Sequence, residues 1–379
     1  MDFDFSQEQQ MLKDSAERLL ADRYDFDARK GYGATEAGWS PEIWNQFAEL
    51  GLLALPFSED DGGIGGGPVE TMIVMEAMGT KLTLEPYFAS IVLGGGLLRR
   101  APDALRERYV ETVATGETIL ALAHHERQAR HDLFDVATQA RAEGDDYVID
   151  GDKSLVLAGD SADRLIVSAR VVGERRDTSG IALFLVDAKA AGVTRRGYET
   201  QDGRRAAEIQ LQSVRVPASD RVADGEEGFK ILSAVVDEAI AALSAEAVGA
   251  MTEIHRQTVD YLKTRKQFGV TIGSFQALQH RAADMYVELE QARSMALFAT
   301  MMAQETDPNV RGRAISAAKV QIGKAARLIG QEAIQLHGGI GMTMETAVGH
   351  YFKRLTMIEL MFGDTDHHLA RVASDLRPL

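Results

Sequence analysis

The chain has 379 residues, with 57 Asp and Glu against 41 Lys and Arg, a formal net charge of −16 and no cysteine. Hydrophobic content of 45% and charged content of 26% exclude a disordered or low-complexity chain, and the length suggests two or three compact units with a large core. The acidic excess argues against a general affinity for nucleic acid, and the lack of cysteine rules out disulfides, thiol nucleophiles and cysteine metal sites.

The amino terminus Met1-Asp2-Phe3-Asp4-Phe5 lacks the basic and apolar regions of a secretory signal. No apolar run is long enough to span a bilayer, so a cytoplasmic location without membrane association is expected. From Ser6, a capping box with Gln9 predicts a helix, and Leu12, Ala16, Leu19 and Leu20 continue it. A second helix is predicted from Ser40-Pro41, with Pro at the first helical position. Helical text resumes from Val69 to about Thr118, broken at Glu85-Pro86 and at Gly94 to Gly96.

Near Ile119 the period changes. Short apolar runs at Tyr147 to Ile149, Arg164 to Val172, Ile181 to Val186 and Ile209 to Val216 read as strands. Gly144-Asp145, Gly151-Asp152 and Asp202-Gly203 supply turn chemistry. After Gly225-Glu226-Glu227-Gly228 the helical period returns. One stripe runs Phe275, Leu278, Ala282, Met285, Leu289, Ala292, Ala296, and another Ile315, Ala318, Ile322, Ala325, Ile329, Ala333, Leu336. Such stripes suit close helix packing in a bundle whose outer faces meet other subunits. The expectation is an α+β multidomain chain: an all-helical domain over 1–118, a β domain (barrel or sandwich) over 119–222 and a helical bundle over 223–379.

The cluster Gly62 to Gly67 followed by Pro68 does not complete a nucleotide-loop pattern and reads as a flexible interhelix loop. His124, His125, Glu126, His131 and Asp132 crowd one region, but adjacent histidines on a strand diverge, so no metal site is expected. His367 and His368 meet the same objection on a helix. No GxSxG or HExxH pattern anchors a hydrolase reading. Two later stretches are more specific. Arg265-Lys266-Gln267-Phe268-Gly269 leads through Ile272-Gly273-Ser274-Phe275-Gln276 into a helix. Gln335-Leu336-His337-Gly338-Gly339-Ile340-Gly341 precedes Glu345. An Arg beside an aromatic residue at a helix end can clamp a pyrophosphate, and Gln beside paired glycines lets the backbone approach a nucleotide. Phe268 as core and Gly338-Gly339 as a helix stop are the alternatives.

With these motifs in this order, together with Gly51-Leu52-Leu53, the β middle and the final Gly363-Asp364-Thr365, the chain resembles the acyl-CoA dehydrogenase family over nearly its whole length. The resemblance implies a helical amino-terminal domain, a middle β domain and a four-helix bundle, with FAD near a subunit interface of a dimer or tetramer. It also implies an acyl-CoA substrate, whose α-proton goes to a carboxylate and whose β-hydrogen goes as hydride to the flavin. Arg265, Gln267, Phe268, Gln276, Gln335, Gly338 and Gly339 match positions that reach the FAD of a neighbouring subunit, and Thr365 matches a cofactor-binding position.

The chain also departs from the family. Gly363 stands where the usual Glu base is expected, and Ala239 and Ile240 where an alternative base and its Arg neighbour are expected. The flavin cradle resembles His125-Glu126-Arg127 through Arg130-His131-Asp132, keeping only its acids, and Leu155-Val156-Leu157 replaces a Trp-containing strand. No residue of this chain is therefore expected to be the catalytic base. The resemblance is to the smaller subunit of two-subunit acyl-CoA dehydrogenases, as in dicarboxylyl-CoA (pimeloyl-type) or steroid side-chain degradation, which completes the FAD site of a catalytic paralogue. The competing expectations are a self-sufficient homo-oligomer with Asp364 or Glu238 as an unconventional base, and a flavin-free structural or CoA-binding homologue. Arg175-Arg176, Arg195-Arg196 and Arg204-Arg205 are expected on solvated hairpin rims rather than on CoA phosphates.

Overall fold

The computed structural model describes residues 4–374. In chain order its helices are α1 (Gln7–Arg23), α2 (Phe26–Gly33), α3 (Pro41–Glu49), α4 (Pro68–Lys81), α5 (Gly96–Leu98) and α6 (Asp103–Ala114). Beyond the strands come α7 (Gly228–Thr264), α8 (Gln276–Met302), α9 (Pro308–His337), α10 (Ala347–Leu360) and α11 (Thr365–Ser374). The strands are β1 (Leu120–Ala123), β2 (Gln139–Glu143), β3 (Asp146–Leu157), β4 (Arg164–Arg170), β5 (Ile181–Asp187), β6 (Val193–Glu199), β7 (Arg205–Pro217) and β8 (Arg221–Ala223), with a small hairpin of β9 (Lys266–Gln267) and β10 (Val270–Thr271).

Local chemistry explains the boundaries. Ser6 and Gln9 form the reciprocal capping box at α1, and Ser40 caps α3 ahead of Pro41. α2 intervenes before α3, and at its start Asp25 Oδ1 accepts the Ala28 N–H at 2.7 Å. Gly94 to Gly96 do not break the chain as expected. A buried π-helix over Phe88–Gly95 runs straight into α5. The glycines serve close packing instead: a Cβ on Gly94 would lie 2.4 Å from Leu120 Cβ, and one on Gly96 3.1 Å from Val235 Cγ1. Gly151-Asp152 is not a turn either; β3 passes through it with a register shift against β7. Gly144-Asp145 does turn β2 into β3, and Asp202-Gly203 lies between β6 and β7.

The described residues pack as two compact units, one from the segment ending at Lys30 with Pro68–Thr83 and the residues from Ile240 to Ser374, the other from Gly31–Gly67 and Leu84–Ala239. This division splits the helical first third, which the sequence pattern groups as one domain. The first unit holds together where α4 crosses α7. A Cβ on Gly79 would lie 2.1 Å from the Glu246 carbonyl oxygen, and one on Gly249 2.0 Å from that of Glu76, so glycine at both points lets the backbones touch. Arg354 of α10 donates to both oxygens of Glu246 at 2.7 and 2.6 Å, a fully buried bidentate pair. α9 packs against α8, α10 and α11, and its apolar stripe from Ile315 to Leu336 is buried throughout.

In the second unit one mixed sheet runs β6-β7-β3-β2-β4-β5-β8, with β1 parallel to β4. Ile149, Leu165, Val167, Phe184, Ile209 and Val214 belong to one shared apolar cluster. The Gly62 to Gly67 loop, expected to be flexible, is tied down: Gly65 N–H donates to Phe57 and Gly66 N–H to Leu55, each at 2.7 Å.

Candidate functional site

The first group of predicted residues lies at the end of α7. Lys266 pairs with Thr271 and Gln267 with Val270, leaving Phe268-Gly269 as a two-residue turn. Both turn residues have positive φ, 54° and 81°, as a type I′ turn requires, and a Phe in that conformation is strained. Its ring is 90% exposed, edge-on to Phe275 at 6.3 Å. Phe268 is therefore a displayed side chain and not core. Arg265, Gln267 and Gln276 are exposed beside it.

The second group lies at the end of α9. Gln335, Gly338 and Gly339 are exposed, and among the described residues no atom beyond the chain neighbours lies within 4 Å of a Cβ built on either glycine. Gly338 stops the helix with φ 64°. The two groups are linked, because Tyr261, one turn before Arg265, stacks on His337 with centroids 4.5 Å apart. His337 Nδ1 bonds the Ala333 carbonyl at 2.8 Å, and burial lowers its pKa, favouring a neutral ring. A groove of about 310 Å³ lined by Gln257, Asp260, Tyr261, Thr264, His337 and Ile340 runs past the stack. Exposed guanidinium, amide and glycine backbone beside a flat aromatic wall suit the phosphate and nucleoside end of a dinucleotide.

Thr365 is placed elsewhere. Its N–H and Oγ1–H both donate to Glu359 Oε1, at 3.2 and 3.0 Å, and it lies against Gly323 of α9, roughly 18 Å along that helix from Gln335. It begins α11 in a turn that is anchored from several sides. Lys319, 1% exposed, donates to the carbonyls of Ile358, Glu359 and Gly363 at 2.7, 2.8 and 3.1 Å. Burial pulls its pKa down to about 7, but three carbonyls at once need the three donors that only the ammonium has. Asp364 Oδ1 accepts the His367 N–H at 2.8 Å, capping α11. His368 is fully buried between Ser316 Oγ and the Phe362 carbonyl, and burial lowers its pKa to about 3, so it is neutral.

The second unit holds the stretch resembling a flavin cradle. Glu126 is buried and accepts from Lys153 Nζ at 2.6 Å, Thr138 Oγ1 at 2.7 Å, the backbone N–H groups of Ala137 and Thr138, and Gln128. Burial pushes its pKa up, but the Lys153 charge and these hydrogen bonds outweigh it and hold it at about 2. Asp132 pairs with Arg176 at 2.9 Å. Leu155, at positive φ, projects from the β3 irregularity and is 36% exposed. Both oxygens of Glu238 are held by Arg99 and Arg100, at 2.6 and 2.5 Å, while Ala239 and Ile240 are buried.

Four of the paired arginines are engaged locally rather than simply solvated. Arg175 and Arg176 hold Asp135, Arg195 donates to the carbonyls of Gly159, Asp160 and Ala162, and Arg205 pairs with Asp160 at 2.5 Å.

Sequence reasoning missed Lys319, Glu246 and Lys153. Each had a signal: a charged residue inside or next to an apolar run must find a buried partner. Glu246 is the only charge between Ala239 and Met251, and Lys319 adjoins Ala318 within the stripe.

A helical, sheet and helical order with a displayed Arg-x-Gln-Phe-Gly hairpin and an open Gln-x-x-Gly-Gly helix end defines the class. The chain matches three models in that order: the acyl-CoA dehydrogenase amino-terminal domain over residues 6–117, the middle domain over 121–214 and the carboxyl-terminal domain over 226–376. A probable acyl-CoA dehydrogenase of Bacillus subtilis, YngJ, is 30% identical across 99% of this chain and 100% of its own. The chain belongs to the acyl-CoA dehydrogenase family. Among solved structures, the ChsE4-ChsE5 complex of Mycobacterium tuberculosis is 25% identical, with TM-score 0.89 and full coverage of both chains. PigA with FAD and proline is 26% identical, with TM-score 0.90 and 99% coverage of each. No described helix is long and apolar enough to cross a membrane.

Proposed function

We propose that this chain is the FAD-completing subunit of a two-chain acyl-CoA dehydrogenase. Arg265, Gln267, Phe268, Gln276, Gln335, Gly338 and Gly339 hold the phosphate and nucleoside end of an FAD whose flavin ring and carboxylate base are provided by a paralogous partner chain. The observation that carries this reading is the contrast between an open nucleotide end and a turn at Gly363 that carries no carboxylate able to reach out.

Bound FAD supplies a ring that accepts the β-hydrogen of the acyl-CoA as hydride, while the partner's carboxylate removes the α-proton. In this chain the Arg265 guanidinium pairs with phosphate charge. Gly338 and Gly339 admit the nucleotide to the backbone, and Phe268 buries its exposed face against cofactor or partner on assembly. The cradle-like stretch of this chain does not fit a flavin ring, because Glu126 already accepts five hydrogen bonds and Leu155 offers no polar atom. Glu238, held by two guanidinium groups, and Asp364, capping α11, are poorly placed as substitute bases. The likeness to ChsE4-ChsE5, a complex of two named chains, supports a heteromeric assembly, and the likeness to PigA with FAD supports the cofactor. Thr365, whose N–H and hydroxyl both go to Glu359, is not assigned to this end of the cofactor.

The test is the visible spectrum and mass of the protein purified alone and after co-expression with a family paralogue that carries the Glu. A colourless chain that turns yellow, and whose flavin is bleached by acyl-CoA only in the mixed assembly, is expected. A yellow homo-oligomer bleached by acyl-CoA unaided would overturn the reading.

A further inference from the structure

In the two-chain reading Gly363 marks the place of a missing base, and the inference about this turn rests on that reading. A lost residue and a rebuilt site differ physically. In the first case the pocket remains and a single Glu could re-arm it; in the second the neighbouring side chains have taken the space.

From the geometry we infer that the Met361–Thr365 turn is rebuilt: position 363 accepts no side chain, and the turn cannot be re-armed by one substitution. Four independent features agree. Gly363 has φ +114°, a conformation that L side chains rarely adopt. A Cβ placed there would lie 2.6 Å from His367 Cδ2 and 2.8 Å from His368 Nε2. His368 cannot swing aside without losing both its bonds, to Ser316 Oγ at 3.1 Å and to the Phe362 carbonyl at 3.1 Å, inside a fully buried site. Lys319 grips the carbonyl of Gly363 itself together with those of Ile358 and Glu359, so the backbone is held while the side-chain direction is blocked.

The wall consists of two imidazoles brought to one side of the turn by the first turn of α11, which Asp364 caps. A base at this position therefore needs a different α11 start as well as a Glu. Lys319 acts as a positioning residue: it gathers carbonyls at the end of α10 that no helical N–H can reach, and it fixes the path on which the wall depends.

The experiment compares wild type with Gly363→Ala, Gly363→Glu and the double variant Gly363→Ala/His367→Ala. The readouts are thermal unfolding of the full chain and flavin bleaching by acyl-CoA after FAD is added. Gly363→Ala is expected to lower Tm by roughly 4 °C or more, although Gly→Ala at an unstrained site would raise it. The double variant should recover part of that loss, and Gly363→Glu should give no bleaching. An unchanged Tm in Gly363→Ala, no recovery in the double variant, or bleaching by Gly363→Glu would each overturn the inference. Bleaching by the wild-type chain alone would instead overturn the two-chain reading and leave the Gly363→Ala prediction standing.

Discussion

Two regions of the carboxyl-terminal unit, both joined to α9, are built in opposite ways. At the end of α9, Gly338 and Gly339 meet open space, and the nearby Phe268 ring is exposed in a strained turn. Near its middle, around Lys319 and Gly323, the turn before α11 is filled and gripped, with Thr365 and His368 bonded inward. An unsatisfied, displayed group is costly unless something outside the chain covers it, whereas a fully bonded one needs nothing further. On the two-chain reading the first region receives a partner or ligand, and the second serves stability.

The largest expected effect comes from removing buried charges that hold the interior, first the pair that ties α10 to α7. Arg354→Met leaves the Glu246 carboxylate, at 0% exposure, without its bidentate partner. A loss of about 3–5 kcal/mol is expected by denaturant unfolding. A loss under about 1 kcal/mol would mean that this pair is not a strut of the unit. In the second unit, Lys153→Met should cost about as much, since Glu126 loses the buried ammonium it pairs with at 2.6 Å. The pH dependence carries a sign. Glu126 is held at about 2, below its ordinary 4.5, so its contribution is fully present above pH 4.5 and lost as pH falls toward 2. The variant should flatten that acid limb, and a limb identical to wild type would assign acid unfolding to other groups.

Sharpening the open side uses Arg265→Ala. In the mixed assembly it should weaken FAD retention roughly tenfold to a hundredfold, the range of one charge-assisted contact, measured by flavin released on gel filtration, with Tm of the apo-chain unchanged. Retention equal to wild type would remove Arg265 from the cofactor site.

Much of this architecture was legible in the sequence because its signals are local. The Ser6 and Ser40 caps, the switch from helical to alternating period near Ile119 and the two α8 and α9 stripes all depend on residues a few positions apart. The hairpin was legible as a motif, but the exposure of Phe268 was not, since an aromatic side chain reads as core until its φ is known. What stayed hidden depends on long-range contacts. Nothing near Lys319 announces that its carbonyl partners lie forty residues on, at Ile358, Glu359 and Gly363. The grouping of α1 and α4 with the last helices likewise follows from the Gly79 and Gly249 crossing rather than from any change of composition. The Gly94 to Gly96 run misled because glycine punctuates turns and also permits close packing, and only the neighbours decide which.

The smallest expected effect separates the capping reading of Asp364 from its reading as a base. Its Oδ1 accepts the His367 N–H, a bond that an Asn side-chain oxygen can equally accept, so Asp364→Asn should change stability by under about 0.5 kcal/mol. Asp364→Ala removes the acceptor and should cost about 1 kcal/mol, seen as fraying of α11 in amide exchange. Neither change should alter turnover of the mixed assembly, because a carboxylate that caps a helix is not free to remove a proton from a substrate. A base would give the opposite pattern: Asn would abolish turnover with FAD still bound and stability intact, since an amide keeps the shape of the carboxylate and lacks its basicity. The pair of substitutions therefore separates the two roles by which property moves, and it does so even if the partner's own base masks small changes in rate.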